Sequence, residues 1–250
     1  MNTYNLSHIS TKAPEKLEKG DCKKETEKIL KELNELQNLL YAEGKHAVLI
    51  ILQGMDASGK DGAIRNVLGR MNPQGVQVTS FKVPTEEEAS HDFLWRINRS
   101  TPARGHIQVF NRSHYEDVLV TRVHGWCSDE LAVRRFDAIN HFETLLQEHN
   151  STTILKFYLH VSAEEQAGRL RERMTNPAKM WKYNKSDFEE AELRDKYYKY
   201  YRDCFQNCNK PEWQIIPADQ NWYKEYLIAR SVKEHLVALN MKYPSLKPGN

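Results

Sequence analysis

Short apolar runs alternate with amphipathic stretches along most of this chain. Five runs rich in β-branched residues are typical of strands, and they cover residues 47–53, 75–81, 106–111, 152–160 and 213–216. Apolar residues at helical spacing predict helices over residues 22–42, 61–71, 86–98, 129–149, 162–174 and 222–240. This alternation predicts a three-layer α/β fold, in which helices cover both faces of a mostly parallel sheet.

Two segments differ from this alternation. Residues 1–21 are polar and predict an N-terminal arm, which would lie on the surface of the domain or on a partner subunit. Residues 172–204 are crowded with charged residues and tyrosines. A chain of 250 residues with 40% hydrophobic residues is long enough to bury a substantial core. We therefore expect a single domain over residues 22–250.

The overall charge gives no reason to expect a nucleic-acid or membrane partner, because the formal net charge is only +2. The chain contains no apolar run long enough to span a bilayer, and its first residues lack the apolar centre of a secretory signal. We expect a cytoplasmic protein. The four cysteines show no paired C-x-x-C spacing, which favours free buried thiols over a metal site.

The first predicted strand leads directly into a glycine–lysine loop. From Gly54 to Lys60 the pattern is G-x-x-x-x-G-K, with a buried strand before it and a helix after it. Glycines in such a loop let backbone N–H groups turn inward around a phosphate, and the lysine reaches the outer phosphates. The predicted phosphate-binding residues are Gly54, Ala57, Ser58, Gly59, Lys60 and Gly62.

Two acidic residues depart from the usual form of this loop. Asp61 stands where a nucleotide hydrolase has Ser or Thr, and Asp56 lies inside the loop itself. Two carboxylates would repel a phosphate chain unless divalent cations lie between them and the ligand. The loop therefore predicts a polyanion site that includes divalent cations, with Mg²⁺ as the expected ion and Mn²⁺ as the alternative.

A second polar cluster follows the third predicted strand, where ligands of a parallel sheet collect. Asn111 ends this strand and could accept a hydrogen bond from metal-bound water, although it brings no charge. The next residue, Arg112, could hold a transferring phosphoryl group through paired hydrogen bonds. The alternative for Arg112 is a structural ion pair with Asp117.

Four blocks of sequence resemble the polyphosphate kinase 2 family, and the resemblance extends from about residue 30 to 240. The blocks are residues 54–62, 80–85, 91–96 and 110–117. The resemblance implies a P-loop kinase of thymidylate-kinase-like architecture, which moves the terminal phosphoryl group of inorganic polyphosphate reversibly to nucleotides with magnesium. The last of these blocks contains Asn-Arg-Ser-His-Tyr-Glu-Asp at residues 111–117, which resembles the subgroup that phosphorylates both nucleoside mono- and diphosphates.

The resemblance also implies roles for individual residues. Asp56 and Asp61 would bind metal or orient the acceptor, and Asp117, close to Asn111, would tune how the nucleotide sits. A basic track would guide the polyphosphate chain, although each candidate on it could also be an ordinary surface charge. Its candidates are Arg65, Lys82 and Arg122. The implied partners are polyphosphate, AMP, ADP and ATP, and the implied assembly is a homodimer or homotetramer.

The segment 172–204 gains a candidate role from the same resemblance. In kinases of this architecture a helical lid closes over the reactants and excludes water. Arg173 is the first candidate for a catalytic lid arginine. Further cations on or beside the predicted lid are Arg169, Lys179 and Lys182. The alternative is an amphipathic pair of helices whose charges only face solvent.

Two other functions are compatible with these residues. An ATP-dependent nucleoside monophosphate kinase of the same fold would share the phosphate loop and the lid, but it would not use polyphosphate. A regulator that binds nucleotide or polyphosphate without turnover is suggested by Asn111, at a position where an acid is common. Against the regulator stands the complete set of Lys60, Arg112 and the two loop acids.

Overall fold

A computed structural model of the protein describes residues 4–245. Five strands form one sheet in the order β2-β3-β1-β4-β5, and every neighbouring pair is parallel. The strands are β1 (Ala47–Gln53), β2 (Val76–Ser80), β3 (Ile107–Asn111), β4 (Thr152–His160) and β5 (Trp213–Pro217). The predicted parallel sheet is therefore confirmed, and each predicted strand differs from the observed one by at most one residue at either end.

Helices cover both faces of the sheet. They are α1 (Lys19–Glu43), α2 (Lys60–Asn66), α3 (Glu86–Ala89), α4 (Trp95–Asn98), α5 (Val120–Val123), α6 (Asp129–Asn150), α7 (Ala163–Thr175), α8 (Ser186–Glu192), α9 (Arg194–Asn207) and α10 (Asn221–Ala238). Single 3₁₀ turns cover Leu6–His8, Leu68–Arg70, His114–Val118 and Met180–Lys182. In the part of the chain that the structure describes, no helix is long and apolar enough to cross a membrane.

The central strand β1 explains why the core has two halves. All seven of its residues are buried, and successive side chains point to opposite faces of the sheet. Val48 and Ile50 pack on the side of α1 and α10. Leu49 and Ile51 pack on the side of α6 and α9. The four cysteines are free and buried, as predicted.

Two predicted helices are shorter than expected. The segment 86–98 forms two four-residue helices, because the Asp92 side chain accepts a hydrogen bond from the Leu94 N–H at 2.9 Å and interrupts the helical backbone. The segment 61–71 ends as an α-helix at Asn66 and continues as a 3₁₀ turn. Both segments border the carboxyl edge of the sheet.

The polar N-terminal segment lies against its own domain. The buried Leu6 side chain packs near α9, and the His160 Nε2 at the end of β4 lies 2.9 Å from the Leu6 carbonyl. Thr11 donates to the Asp219 carboxylate at 2.7 Å. Of the predicted arm 1–21, residues 1–3 lie outside the described part of the chain and residues 19–21 already belong to α1.

Candidate active site

The glycine–lysine loop connects β1 to α2 at the carboxyl edge of the sheet. Gly54 and Gly59 have φ angles of 148° and 97°, which side chains other than glycine rarely adopt. The Lys60 ammonium folds back into the loop, where it donates to the carbonyls of Gly54 at 2.6 Å and Met55 at 3.2 Å. The loop thus presents one buried cation surrounded by its own backbone.

Asp56 is the acid of the loop, and its carboxylate forms an ion pair with Arg112. Burial disfavours the charged carboxylate, but the nearby Lys60 and Arg112 outweigh this effect, so the pKa of Asp56 lies below its ordinary value. Arg173 of α7 adds a smaller effect in the same direction. Three predicted site cations therefore act on one predicted site acid. The alternative pair of Arg112 with Asp117 is not formed.

Asp61 lies in the first turn of α2 and links three elements. It accepts from Asn111 Nδ2 at the end of β3, at 3.0 Å, and from Lys182 Nζ, at 2.6 Å. Burial raises the pKa of this carboxyl, but the contacts with Lys182 and Asn111 lower it by a larger amount. The pKa of Asp61 therefore lies below its ordinary value. Asp61 therefore stays ionised at neutral pH.

Glu116 is a site residue that the sequence interpretation missed, although it lies inside the quoted block 110–117. It lines the cleft beside Asp56 and Arg112. Burial raises the pKa of Glu116, while the charges of Arg112 and Lys60 oppose that rise. Burial also lowers the pKa of Lys60 to about 8. The position of Glu116 before Asp117 in a polar loop was the only feature of the sequence that could have identified Glu116 as a site residue.

A cavity of about 480 Å³ opens in front of the loop. The side chains of Asp117 and Arg96 line one wall, with 3.9 Å between Arg96 Nη2 and Asp117 Oδ2. Arg96 is almost buried and donates to the Lys82 carbonyl at 2.8 Å. Burial raises the pKa of Asp117, with Arg96 opposing. The cavity is large enough to hold a nucleotide-sized ligand.

The opposite wall of the cavity is formed by residues 176–193, which we call the lid segment. Arg173, in the last turn of α7, forms an ion pair with Asp187 of α8. Glu190 of α8 accepts from His124 Nε2 at 2.8 Å across the cavity mouth. The second half of α9 is buried in the core, so the lid ends before this helix rather than at residue 204.

Several predicted phosphate-binding cations are engaged elsewhere. Arg122 is 7% exposed and pairs with Asp129 at 2.7 Å and Asp203 at 3.0 Å, so it holds α5 to α6 and α9 rather than lining the cavity. Lys179 pairs with Glu172 at 2.6 Å, and the exposed Arg65 contacts Asn66. Of the predicted site cations, Lys82 and Arg112 line the cavity. The others are not part of its lining: Lys60, Arg65, Arg122, Arg169, Arg173, Lys179 and Lys182.

Arg169 also differs from its predicted role as a lid cation. Its guanidinium donates to the carbonyls of Ala57, Ala218 and Asp219 at 3.0, 2.7 and 2.9 Å. The buried Gln166 and Lys224 contact the same loop, and sequence analysis identified neither. No local sequence signal marks them, because they come from helices far along the chain.

The oxygen donors near the loop fit a magnesium ion that is shared with phosphate. Within residues 4–245, no group of three or more His, Cys, Asp or Glu side chains is placed to hold a metal. Asp56 and Asp61 offer two carboxylates, and Mg²⁺ in phosphate-transfer sites takes one or two carboxylates together with substrate oxygens and water. The protein side of the site therefore suits Mg²⁺ as a partner of the substrate.

Comparisons with known proteins agree with this geometry. The family model of polyphosphate kinase 2 matches residues 16–244. The AMP/ADP-polyphosphate phosphotransferase of Meiothermus ruber is 47% identical over 214 residues, which cover 85% of this chain and 80% of that protein. The ADP-polyphosphate phosphotransferase of Rhodopseudomonas palustris is 42% identical over 230 residues, with 86% and 79% covered.

A solved structure matches over almost the whole chain. The crystal structure of polyphosphate kinase 2 from Arthrobacter aurescens TC1 has a TM-score of 0.93 and 39% identity, and the match covers 98% of this chain and 89% of that one. The similarity includes the sheet, the phosphate loop and the lid segment. It confirms the predicted α/β P-loop kinase fold.

Proposed function

This chain belongs to the polyphosphate kinase 2 family, and from that membership we propose that it transfers the terminal phosphoryl group of inorganic polyphosphate to AMP and ADP. One observation carries the proposal. The charges of Lys60, Arg112 and Arg173 all act on the carboxylate of Asp56, which lines a cavity large enough for a nucleotide. Phosphoryl transfer requires two anionic reactants to be aligned and their charge neutralised, and these cations supply that neutralisation.

Each residue has a distinct part in the proposed reaction. Lys60 leaves the carbonyls of its own loop and binds phosphate oxygens of a reactant. Arg112, already oriented by Asp56, stabilises the charge of the transferring group through paired hydrogen bonds. The lid segment brings Lys182 over the reactants, next to Arg173 at the end of α7, and excludes water, which would otherwise accept the phosphoryl group.

We also propose that Mg²⁺ is the metal, with Mn²⁺ as a substitute, held by Asp56 and Asp61 together with phosphate oxygens. When bound, the ion neutralises phosphate charge and aligns the reacting groups. Arg112 and Lys182 form ion pairs with these two acids and lower the pKa of each, which supports their role as ionised ligands. The hydrogen bond from Asn111 also lowers the pKa of Asp61.

The acceptor and the assembly complete the proposal. We propose that Glu116 and Asp117, which line the cavity, contact the nucleotide together with Asn111, the last residue of β3. The names of the two relatives support AMP and ADP as acceptors. Because donor and product both contain phosphoanhydride bonds, reactant concentrations set the direction of transfer.

We propose that the protein assembles as a homodimer or homotetramer. Exposed apolar side chains such as Val133 and Leu145 on α6 support an interface. Light scattering measures the mass of the assembly and tests this proposal.

The test starts with purified protein, Mg²⁺ and long-chain polyphosphate, and it offers AMP and ADP separately without ATP. Phosphorus NMR follows the products. We expect ATP from ADP, and ADP followed by ATP from AMP. Product from ADP alone would restrict the acceptor range, while transfer only from ATP to AMP would identify an ATP-dependent monophosphate kinase. Binding without any transfer at every Mg²⁺ concentration would indicate a regulator.

A further inference from the structure

Three side chains donate hydrogen bonds to backbone carbonyls of the phosphate loop. Gln166 Nε2 donates to the Asp56 carbonyl at 2.9 Å, and Arg169 Nη1 donates to the Ala57 carbonyl at 3.0 Å. Lys224 Nζ donates to the Gly59 carbonyl at 3.1 Å. Gln166 and Arg169 lie three residues apart on one face of α7, and Lys224 lies on α10. Two helices therefore fix the carbonyls of a loop that binds phosphate through its N–H groups.

The planar peptide bond gives these contacts a consequence on the other side of the loop. Within one trans peptide, the C=O of a residue and the N–H of the next residue point in opposite directions. A carbonyl held toward α7 or α10 therefore turns the following N–H away from these helices. Donors on the Asp56 and Gly59 carbonyls orient the N–H groups of Ala57 and Lys60, as phosphate binding requires.

Lys224 is the unexpected member of this group, because its ammonium is fully buried. Burial, together with the nearby Arg169, lowers its pKa to about 8. Its Nζ also donates to Asn221 Oδ1 at 2.7 Å. An apolar side chain of similar volume would avoid the cost of burying a charge. The contact with the loop is what the lysine adds at this position.

The packing around Lys224 also accounts for the glycine that precedes Lys60. A Cβ atom on Gly59 would lie 2.4 Å from Lys224 Nζ and 3.4 Å from Arg169 Nη1. The loop and the two cations therefore fit each other without spare space. Neither Lys224 nor Arg169 lines the cavity in front of the loop, whereas Gln166 does.

We propose that Lys224, supported by Arg169 and Gln166, is a positioning residue that keeps the loop in its phosphate-binding conformation. It acts through the loop backbone and contacts no reactant. The inference rests on the proposed role of the loop in phosphate binding. The group also connects the loop to the lid segment, because α7 carries Gln166, Arg169 and, in its last turn, Arg173, which pairs with Asp187 of α8.

The test compares Lys224→Met with Lys233→Met. Both substitutions remove a cation from α10, but Lys233 pairs with Glu32 of α1 and does not contact the loop. Calorimetry measures the binding of ADP and of a linear polyphosphate of defined length, each with Mg²⁺. Hydrogen exchange measures the protection of residues 54–60 without ligand, and thermal melting reports the fold.

We expect Lys224→Met to weaken binding of the ligand whose phosphates occupy the loop by about 10- to 100-fold, the range for a lost hydrogen bond from a charged group. Exchange in residues 54–60 should accelerate while the melting temperature stays at or above that of the unchanged protein. Lys233→Met should leave binding and loop exchange unchanged. Unchanged binding and loop exchange in Lys224→Met would overturn the inference.

If Lys224→Met does not fold, a second pair of variants tests whether these contacts position the loop. Arg169→Met removes the donor to Ala57, and Arg171→Met removes an exposed cation of the same helix as its control. The same two outcomes apply to this pair. Lys60→Ala separates the inference from the proposed function: if Lys60→Ala also binds both ligands normally, the loop is not a phosphate site, and the proposed function fails first.

Discussion

The Lys182 ammonium donates to the Asp61 carboxylate at 2.6 Å and so joins the lid segment to the first turn of α2. The two residues are 121 positions apart in the chain. Asp61 is also a proposed metal ligand, and Lys182 contacts one of its two carboxylate oxygens. The lid segment therefore has a direct contact with an acid of the proposed metal site.

We expect Lys182→Met to loosen the lid segment. The pair is partly exposed, with 31% and 61% of the two side chains accessible, so its contribution should lie within about 0.2–1 kcal/mol. This corresponds to an increase of about 1.5- to 5-fold in lid opening. Hydrogen exchange of residues 176–193 measures it. Lys185→Met is the control, because Lys185 lies in the same segment and is largely exposed; equal acceleration in both variants would contradict the contact.

Lys60→Ala should abolish transfer without unfolding the protein. Lys60 is proposed to bind phosphate oxygens, and loss of such a donor should reduce kcat/KM by at least about 100-fold. Burial lowers the pKa of Lys60 to about 8, which shows that its charge is held at a cost in the folded protein. The variant should therefore melt at the same temperature or higher. Retained turnover would remove the loop from the mechanism.

Arg122→Met should affect stability rather than activity. Arg122 is 7% exposed and pairs with Asp129 and Asp203, both more accessible than Arg122 itself. We expect a loss of about 2 kcal/mol in the free energy of unfolding, between the values for exposed and buried ion pairs. Urea denaturation measures this loss. A raised KM for polyphosphate in the folded variant would instead return Arg122 to the polyphosphate track.

Sequence patterns were sufficient to predict a feature when the residues that form it lie close together in the chain. The β1 strand, the glycines, Lys60 and the two acids all fall between residues 47 and 61. The parallel sheet could be predicted because apolar runs alternate with segments of helical periodicity, and a strand that is buried on both faces is apolar throughout. Asn111 and Arg112 could be predicted in the site because parallel strands end at one edge.

Long-range contacts account for most of what the sequence did not predict. Lys224 meets Gly59 across 165 positions, and Arg169 meets Ala57 across 112. Nothing local distinguishes Lys224 from Lys233 on the same helix, although one is buried beside the loop and the other is not. The sequence likewise shows that Arg122 is charged, but it does not show that its two acidic partners come from α6 and α9.

His160 should make the stability of the protein depend on pH below neutrality. Its ring is buried, Nε2 lies 2.9 Å from the Leu6 carbonyl, and Nδ1 has no hydrogen-bond partner. Burial lowers its pKa, helped by the charge of Arg194; the carbonyls it contacts and Asp219 oppose the effect.

The direction of the pH dependence follows from proton uptake. In the unfolded chain His160 titrates near its ordinary pKa of about 6.5, whereas the folded protein resists protonation until a lower pH. Below about pH 6.5 the unfolded state therefore binds more protons, and the free energy of unfolding falls. This single residue can contribute up to about 1.4 kcal/mol between pH 7.5 and pH 5.5.

We expect His160→Gln to reduce this pH dependence, because glutamine keeps an N–H donor near the Leu6 carbonyl but does not titrate. Urea denaturation at pH 7.5 and pH 5.5 gives the two free energies for each protein. The exposed His141 of α6 provides the control, and His141→Gln should retain the full difference. If His160→Gln loses as much stability on acidification as the unchanged protein, protonation of other groups must account for the effect. Because Leu6 and Thr11 anchor the N-terminal segment beside β4, the same acidification should lower the protection factors of residues 4–13, calculated against the slower intrinsic exchange at pH 5.5, before the sheet itself opens.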